Sequence, residues 1–237
     1  MNKTAIRNFA IWARKQLIED TKRMCMEKGI TEKEILLPLS SSTSDMQFFD
    51  IGTGKEARVT KDEIFLRNDL IKKIQEKAEA TDYQSAYAYI VEKVAYTWFN
   101  RIIAIRFMEV NDYLPSEIRV LSSTQERKDE PDLVTAPFES DLEFTEEERN
   151  RIYKLKEESA ADELFRMLFI KQCKSLQKNL LELFDKNDAY MEMLLSISFK
   201  DINGIVYKLV HGAKAGGIDE KDFNVEKSGQ VEIIGWL

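Results

Sequence analysis

The sequence predicts a mainly α protein with a small β element, and three observations carry that expectation. Gly and Pro are scarce, 9 and 4 among 237 residues, so the punctuation that strands and tight turns need is largely missing. Leu, Ile, Met, Lys and Glu are plentiful, so good helix formers dominate. Helix-start patterns recur along the chain: Thr31 with Glu34, Thr60 with Glu63, Thr81 with Gln84, Thr145 with Glu148 and Ser159 with Asp162. With 43% of residues hydrophobic, the chain can bury a core for one large domain or two small ones.

Taken in order, Ile6, Phe9, Ala10, Ala13, Leu17 and Met24 recur at helical spacing and predict a long first helix from Asn2 to about Lys28, ended by Gly29. Thr31 and Glu34 predict a short helix stopping near Pro38, and Ser40 to Ser44 a loop. Met46 to Val59 has β character, with Gly52 and Gly54 suited to a turn. Helices follow over roughly 61–79 and 82–111. The second of these reads SAYAYIVEKVAYTWFNRIIAIRFMEV, is apolar on more than one stripe, and should be enclosed on several sides.

Asn111 to Pro115 closes that helix, Ile118 to Leu121 suits a short strand, and the polar run beyond it reads as a long exposed connection. Thr145 and Ser159 then open two helices, the second amphipathic through Leu164, Phe165, Leu168, Phe169, Cys173, Leu176, Leu180 and Phe184. The expected organisation is a helical subdomain over 1–121, an exposed connection over 122–144 and a second helical subdomain over 145–237. The closing GQVEIIGWL stops in an apolar run without a polar tail, so the chain reads as a piece of a longer protein.

Charge and cysteine content narrow the function. A net charge of -7 argues against a surface that coats nucleic acid throughout. The first helix is nonetheless basic, and Lys3, Arg7, Arg14, Lys15, Lys22 and Arg23 are the candidate contacts for DNA or a partner protein. The stretch from Glu126 to Glu163 is strongly acidic. Charges interrupt every apolar run of the N-terminus, so no signal peptide or membrane span is expected there and the protein should stay in the cytoplasm. Cys25 and Cys173, each inside a helical pattern, read as reduced, inert thiols.

The motifs that imitate catalytic ones do not hold up. Asp50-Ile51-Gly52-Thr53-Gly54 resembles a cofactor loop, but such a loop must follow a buried strand and open a helix, and Ser44, Asp45 and Gln47 spoil the strand; a plain turn is expected. Gly54-Lys55 lacks both the earlier Gly and the following Ser or Thr of a phosphate loop. The prolines are Pro38, Pro115, Pro131 and Pro137, so the Pro-Pro motif with which amino-methylating enzymes hold an extruded base is missing. His211, the lone histidine, fits a helix end better than a catalytic triad. Glu146, Glu147, Glu148, Glu157 and Glu158 read as a solvated helix face, not a metal site. Tyr87, Tyr89, Tyr96, Trp98 and Phe99 with Arg101 and Arg106 could stack on nucleic acid, though core packing is the preferred reading. No catalytic, cofactor-binding or metal residue is expected in this chain.

Five strings carry a family resemblance: MNKTAIRNFAIWARKQLIED at 1–20, AYTWFNRIIAIRFMEVNDYLPS at 95–116, EPDLV at 130–134, DELFRMLFIKQC at 162–173 and GQVEIIGWL at 229–237. They resemble the N-terminal region of the PglX-type adenine-specific DNA methyltransferases of bacteriophage exclusion (BREX) systems. The resemblance implies a longer enzyme that uses S-adenosylmethionine to methylate adenine N6 in double-stranded DNA, with its catalytic motifs beyond Leu237. It also implies that this part is noncatalytic and helps enclose DNA or docks other proteins, either exclusion-system components or phage inhibitors. Two rivals stand beside that reading: a purely protein-docking helical module, and the N-terminal domain of a bifunctional restriction-modification methylase.

Overall fold

Gly29 ends the first helix for a steric reason. Helix α1 runs Lys3–Met26, and Gly29 then takes φ +67°, where a Cβ would stand 2.6 Å from Cγ of Phe49. In the computed structural model all residues are described except Met1, Thr53, Lys55, 126–127, Asn179, 181–183, 185–188 and 229–237. The GQVEIIGWL string, Thr53 of the glycine turn, Glu126 of the acidic stretch and part of the expected extension of the second amphipathic helix therefore lie outside the described residues.

The helix expected after Thr31 does not form. Thr31 Oγ1 accepts the backbone N–H groups of Lys33 and Glu34 at 3.2 and 3.0 Å, while the Thr31 N–H donates to the Glu34 carbonyl at 2.9 Å. An isolated bridge between Ile30 and Ile35 closes the loop, so the Thr-x-x-Glu pattern serves a tight turn. The β element is a hairpin of β1, Met46–Asp50, and β2, Glu56–Thr60, antiparallel with Phe49 opposite Ala57 and Gln47 opposite Val59. Phe49, Ala57 and Val59 bury one face against Leu36, Ile51 and Ile64.

Strand β2 leads directly into α2, Lys61–Ala78, where the Glu63 carboxylate accepts the Thr60 N–H at 3.1 Å. The long helix α3 spans Tyr83–Val110. Its start is held by Asp82, not by the Thr81 pattern: the Asp82 carboxylate accepts the Ser85 N–H and hydroxyl at 3.0 and 2.7 Å, and Thr81 bonds back to the Lys77 carbonyl. Beyond α3 come α4, Asp132–Thr135; α5, Glu146–Glu157; α6, Ala161–Leu176; α7, Ala189–Met193; α8, Ile205–His211; and α9, Glu220–Phe223. The Thr145 and Glu148 box opens α5 as expected. Before α6, Ser159 instead adopts φ +56°, and Asp162 accepts the Phe199 N–H.

Two expectations between α3 and α5 need correction. Residues 118–121 form no strand; the N–H groups of Val120 and Leu121 donate to the Glu109 carboxylate at 2.9 and 2.8 Å, which takes the place of a neighbouring strand. The segment 122–144 is not an exposed connection throughout. Leu133, Val134 and Leu142 are buried, and the Asp132 carboxylate holds the Ser123 hydroxyl and the Thr124 N–H. Apolar residues spaced too widely to suggest an element still find the core when a polar anchor folds the loop around them.

The chain packs as two compact units, each with segments from before and after 122–144. The first unit comprises Met1–Ala13, Phe99–Lys186 and Ile197–Leu237; the second comprises Arg14–Trp98 and Asn187–Ser196. In the first unit Phe165, Leu168 and Phe169 of α6 pack in a core with Phe184, Phe199 and Leu209. In the second unit the core includes Leu17, Leu70, Ile74, Val94, Trp98 and Tyr190, and the Trp98 indole N–H donates to the Met191 carbonyl at 3.0 Å. Arg67 bolts the hairpin to the turn: it donates to the carbonyls of Lys28 and Leu36 and lies over the Phe49 ring at 4.3 Å.

Candidate nucleic-acid interface

The six basic residues of α1 have unequal surroundings. Lys3 and Arg7 belong to the first unit and are exposed there. Arg14, Lys15, Lys22 and Arg23 belong to the second. Lys22 pairs with Glu19 at 3.1 Å, and Arg23 pairs with Glu27 at 3.1 Å and Asp20 at 3.5 Å while bonding the Ser196 hydroxyl at 2.8 Å. Those two charges are largely neutralised by neighbours one helical turn away. Lys15 is exposed and has no ion-pair partner among the described residues, and the half-buried Arg14 lies 5.8 Å from the centre of the Tyr96 ring.

The aromatic and basic set of α3 divides in the same way. Tyr87, Trp98 and Phe99 are buried, as are Arg101 and Arg106. Tyr89 and Tyr96 instead face solvent at 51% and 41% exposure, seven residues apart on one side of the helix. Each carries a cation from another helix: Lys77 of α2 sits 4.2 Å from the Tyr89 ring centre, and Arg14 of α1 attends Tyr96. Lys93, exposed between them, adds a positive charge beside Glu92. On the second unit Arg14, Lys77, Tyr89, Lys93 and Tyr96 thus form a basic and aromatic strip, and the exposed Lys15 follows Arg14 along α1. In the sequence Tyr89 and Tyr96 share one helix face with Ser85, Glu92, Lys93 and Asn100, and that narrow polar stripe is the signal that separates them from the core aromatics.

Over its whole length the chain is 39% identical to the adenine-specific methyltransferase PglX of Lacticaseibacillus casei (strain Zhang), and over 72% of its length it is 31% identical to the adenine-specific methyltransferase BrxX of Escherichia coli O9:H4 (strain HS). This chain belongs with the N-terminal region of the PglX proteins. It spans 19% of the first relative and 13% of the second. No family model matches it.

Within this PglX-related region the other candidate motifs have structural roles. Gly52 and Gly54, at φ +75° and +69°, lie in the turn between antiparallel strands, and Asp50 accepts the Gly52 N–H at 2.9 Å. The glycines therefore do not run from a strand into a helix, which is the geometry a dinucleotide or methyl-donor loop requires. His211 ends α8, stacks on Tyr207 at 3.7 Å, and contacts the Tyr207 carbonyl and the Asp129 carboxylate through its two ring nitrogens. Glu148 caps α5 and pairs with Lys171 at 2.6 Å. Burial raises its carboxyl pKa, but Lys171 and Thr145 outweigh that and hold it below the usual range. Among the described residues no three His, Cys, Asp or Glu side chains are grouped to hold a metal ion. Both cysteines are buried, and burial pushes the Cys25 thiol up to about 12 against a hydrogen bond from Tyr87, which leaves it unreactive. No helix among the described residues is long and apolar enough to cross a membrane.

Proposed function

We propose that this chain is a noncatalytic helical region of a site-specific DNA N6-adenine methyltransferase, and that the basic and aromatic strip of its second unit lies along the DNA backbone. The full-length protein would use S-adenosylmethionine, bound outside this region, to mark host DNA in the cytoplasm as part of bacteriophage exclusion. The observation that carries the contact is the pair of exposed tyrosines, each with a cation beside it. Tyrosine hydroxyls and Lys or Arg side chains are the groups that position proteins on phosphates. Seven helical residues span about 10 Å, or about three base-pair steps along one strand, so Tyr89 and Tyr96 match a short run of backbone.

Lys22 and Arg23 stand outside this interface because their charges are already spent on Glu19, Asp20 and Glu27. Lys3 and Arg7 remain candidate contacts of the first unit. The test is a gel shift of this chain on a short duplex across a salt series. Phosphate contacts should weaken steeply between about 50 and 200 mM salt, and the double change Arg14→Glu, Lys15→Glu should abolish the shift. A shift that ignores both salt and that charge reversal would remove the strip from DNA. Calorimetric titration with S-adenosylmethionine should give no heat of binding; micromolar affinity would overturn the noncatalytic assignment.

A further inference from the structure

The second unit also contains a cleft of about 510 Å³ whose lining differs from the strip just described. Its apolar surface comes from Met26, Leu36, Ile51 and Tyr87. Lys22 and Arg23 line it as well, but their ion pairs with Glu19, Asp20 and Glu27 take up their charge. What remains is the carboxylates of Glu32, Glu34 and Asp50 against the ammonium of Lys33, none of them in an ion pair among the described residues. The residual field at the cleft is therefore negative.

We propose that this cleft docks a basic segment of a partner protein, one that places a Leu, Met or Phe side chain on the apolar lining between flanking Lys or Arg residues. Charge complementarity selects that occupant. A phosphate polymer would meet three carboxylates and be repelled. A wholly apolar ligand would strip water from those carboxylates without replacing it, which is costly. A side chain of apolar body with a cationic neighbour satisfies both halves of the lining, and Met26 supplies an adaptable contact. The cleft is separate in residues from Arg14, Lys15, Tyr89 and Tyr96, so docking there and DNA contact by the strip can stand or fall independently.

The probes are an acetylated, amidated peptide of alternating lysine and leucine and its glutamate–leucine counterpart, titrated into the whole chain while the methyl resonances of Met26 and Leu36 are followed. The lysine–leucine peptide should move both resonances saturably, and the glutamate–leucine peptide should not. The double change Glu32→Gln, Glu34→Gln removes two charges whose side chains carry no hydrogen bond among the described residues, and it should weaken the lysine–leucine peptide by roughly tenfold at low salt. That variant should still shift duplex DNA as the parent does, whereas Arg14→Glu, Lys15→Glu should keep peptide binding. Equal effects from both peptides, no movement up to millimolar peptide, or unchanged affinity in the Gln variant would each overturn the docking site.

Discussion

Two arginines, one in each unit, show how differently the same side chain is used. Arg106, in the first unit, is fully buried: its guanidinium donates to Glu109 at 2.7 Å, to the Ser122 hydroxyl at 3.0 Å and to Glu220 at 3.0 Å. Glu109, equally buried, also accepts the Val120 and Leu121 N–H groups and the Ser122 hydroxyl. Arg14, in the second unit, keeps part of its surface in water beside an exposed tyrosine. A desolvated cation must draw in acceptors, and the two terminal nitrogens of Arg106 take theirs from several segments while its Nε has none among the described residues, so it fixes the loop that supplies them. A half-exposed cation keeps part of its hydration and fixes less of its surroundings. Burial, not sequence, thus separates an arginine that holds a loop from one that keeps a solvated face.

The comparison is broken most severely at Glu109. Glu109→Ala would leave Arg106 charged and buried and would orphan the backbone donors at 120 and 121, so urea unfolding should report a loss of about 3–5 kcal/mol. A smaller loss would mean that the knot is not what holds residues 119–122. Gly29→Ala comes next, with a loss of about 1–3 kcal/mol, because the left-handed φ and the 2.6 Å approach to Phe49 must both be accommodated. On the contact side, Tyr89→Ala with Tyr96→Ala should weaken duplex binding by at least about 1 kcal/mol, measured by anisotropy, with stability nearly unchanged. Equal losses of stability and binding would instead place both rings in the fold.

A pH test sharpens the middle ground between bolt and contact. Lys28 and Glu63 pair at 2.7 Å in the second unit. Burial raises the Glu63 carboxyl pKa, but the Lys28 ammonium and the Thr60 N–H overcome that and leave it below the ordinary value. A carboxyl with a depressed folded pKa contributes stability that is present above the unfolded value of about 4.3 and disappears as pH falls through the folded one. Glu63→Gln should therefore lower Tm at pH 7, and the gap from the parent should narrow toward pH 3. The smallest effect belongs to Lys22→Ala, whose exposed pair with Glu19 should contribute less than about 0.5 kcal/mol and whose removal should leave DNA binding unaltered.

Much of this fold was legible before any coordinates. The apolar spacing of Ile6 to Leu17, the Thr60 and Thr145 boxes and the glycine pair at 52 and 54 each placed an element where it occurs. The helix-start patterns that do not act as caps share one cause, although the helices expected after Thr81 and Ser159 do form. Thr31 with Glu34, Thr81 with Gln84 and Ser159 with Asp162 are the same local pattern, yet a bridge, a neighbouring Asp82 and the Phe199 N–H, respectively, claimed their hydrogen-bonding groups. The candidate interface was half legible: Arg14 and Lys15 stood out as basic residues of an amphipathic helix, whereas Tyr89 and Tyr96 read with the core aromatics although they share a face with Ser85, Glu92, Lys93 and Asn100.

By itself the sequence determined the α character, the hairpin and the absence of a Pro-Pro pair, because these depend on local chemistry and spacing. Only the tertiary structure decided which charges are buried as anchors. Glu109, Asp132 and Glu220 are ordinary acids in a linear reading, and Lys22 is as basic as Lys15. Donors brought in from other segments turn the first three into anchors, which periodicity does not reveal, whereas the Lys22 pair with Glu19 is a local, exposed one that the three-residue spacing already allows.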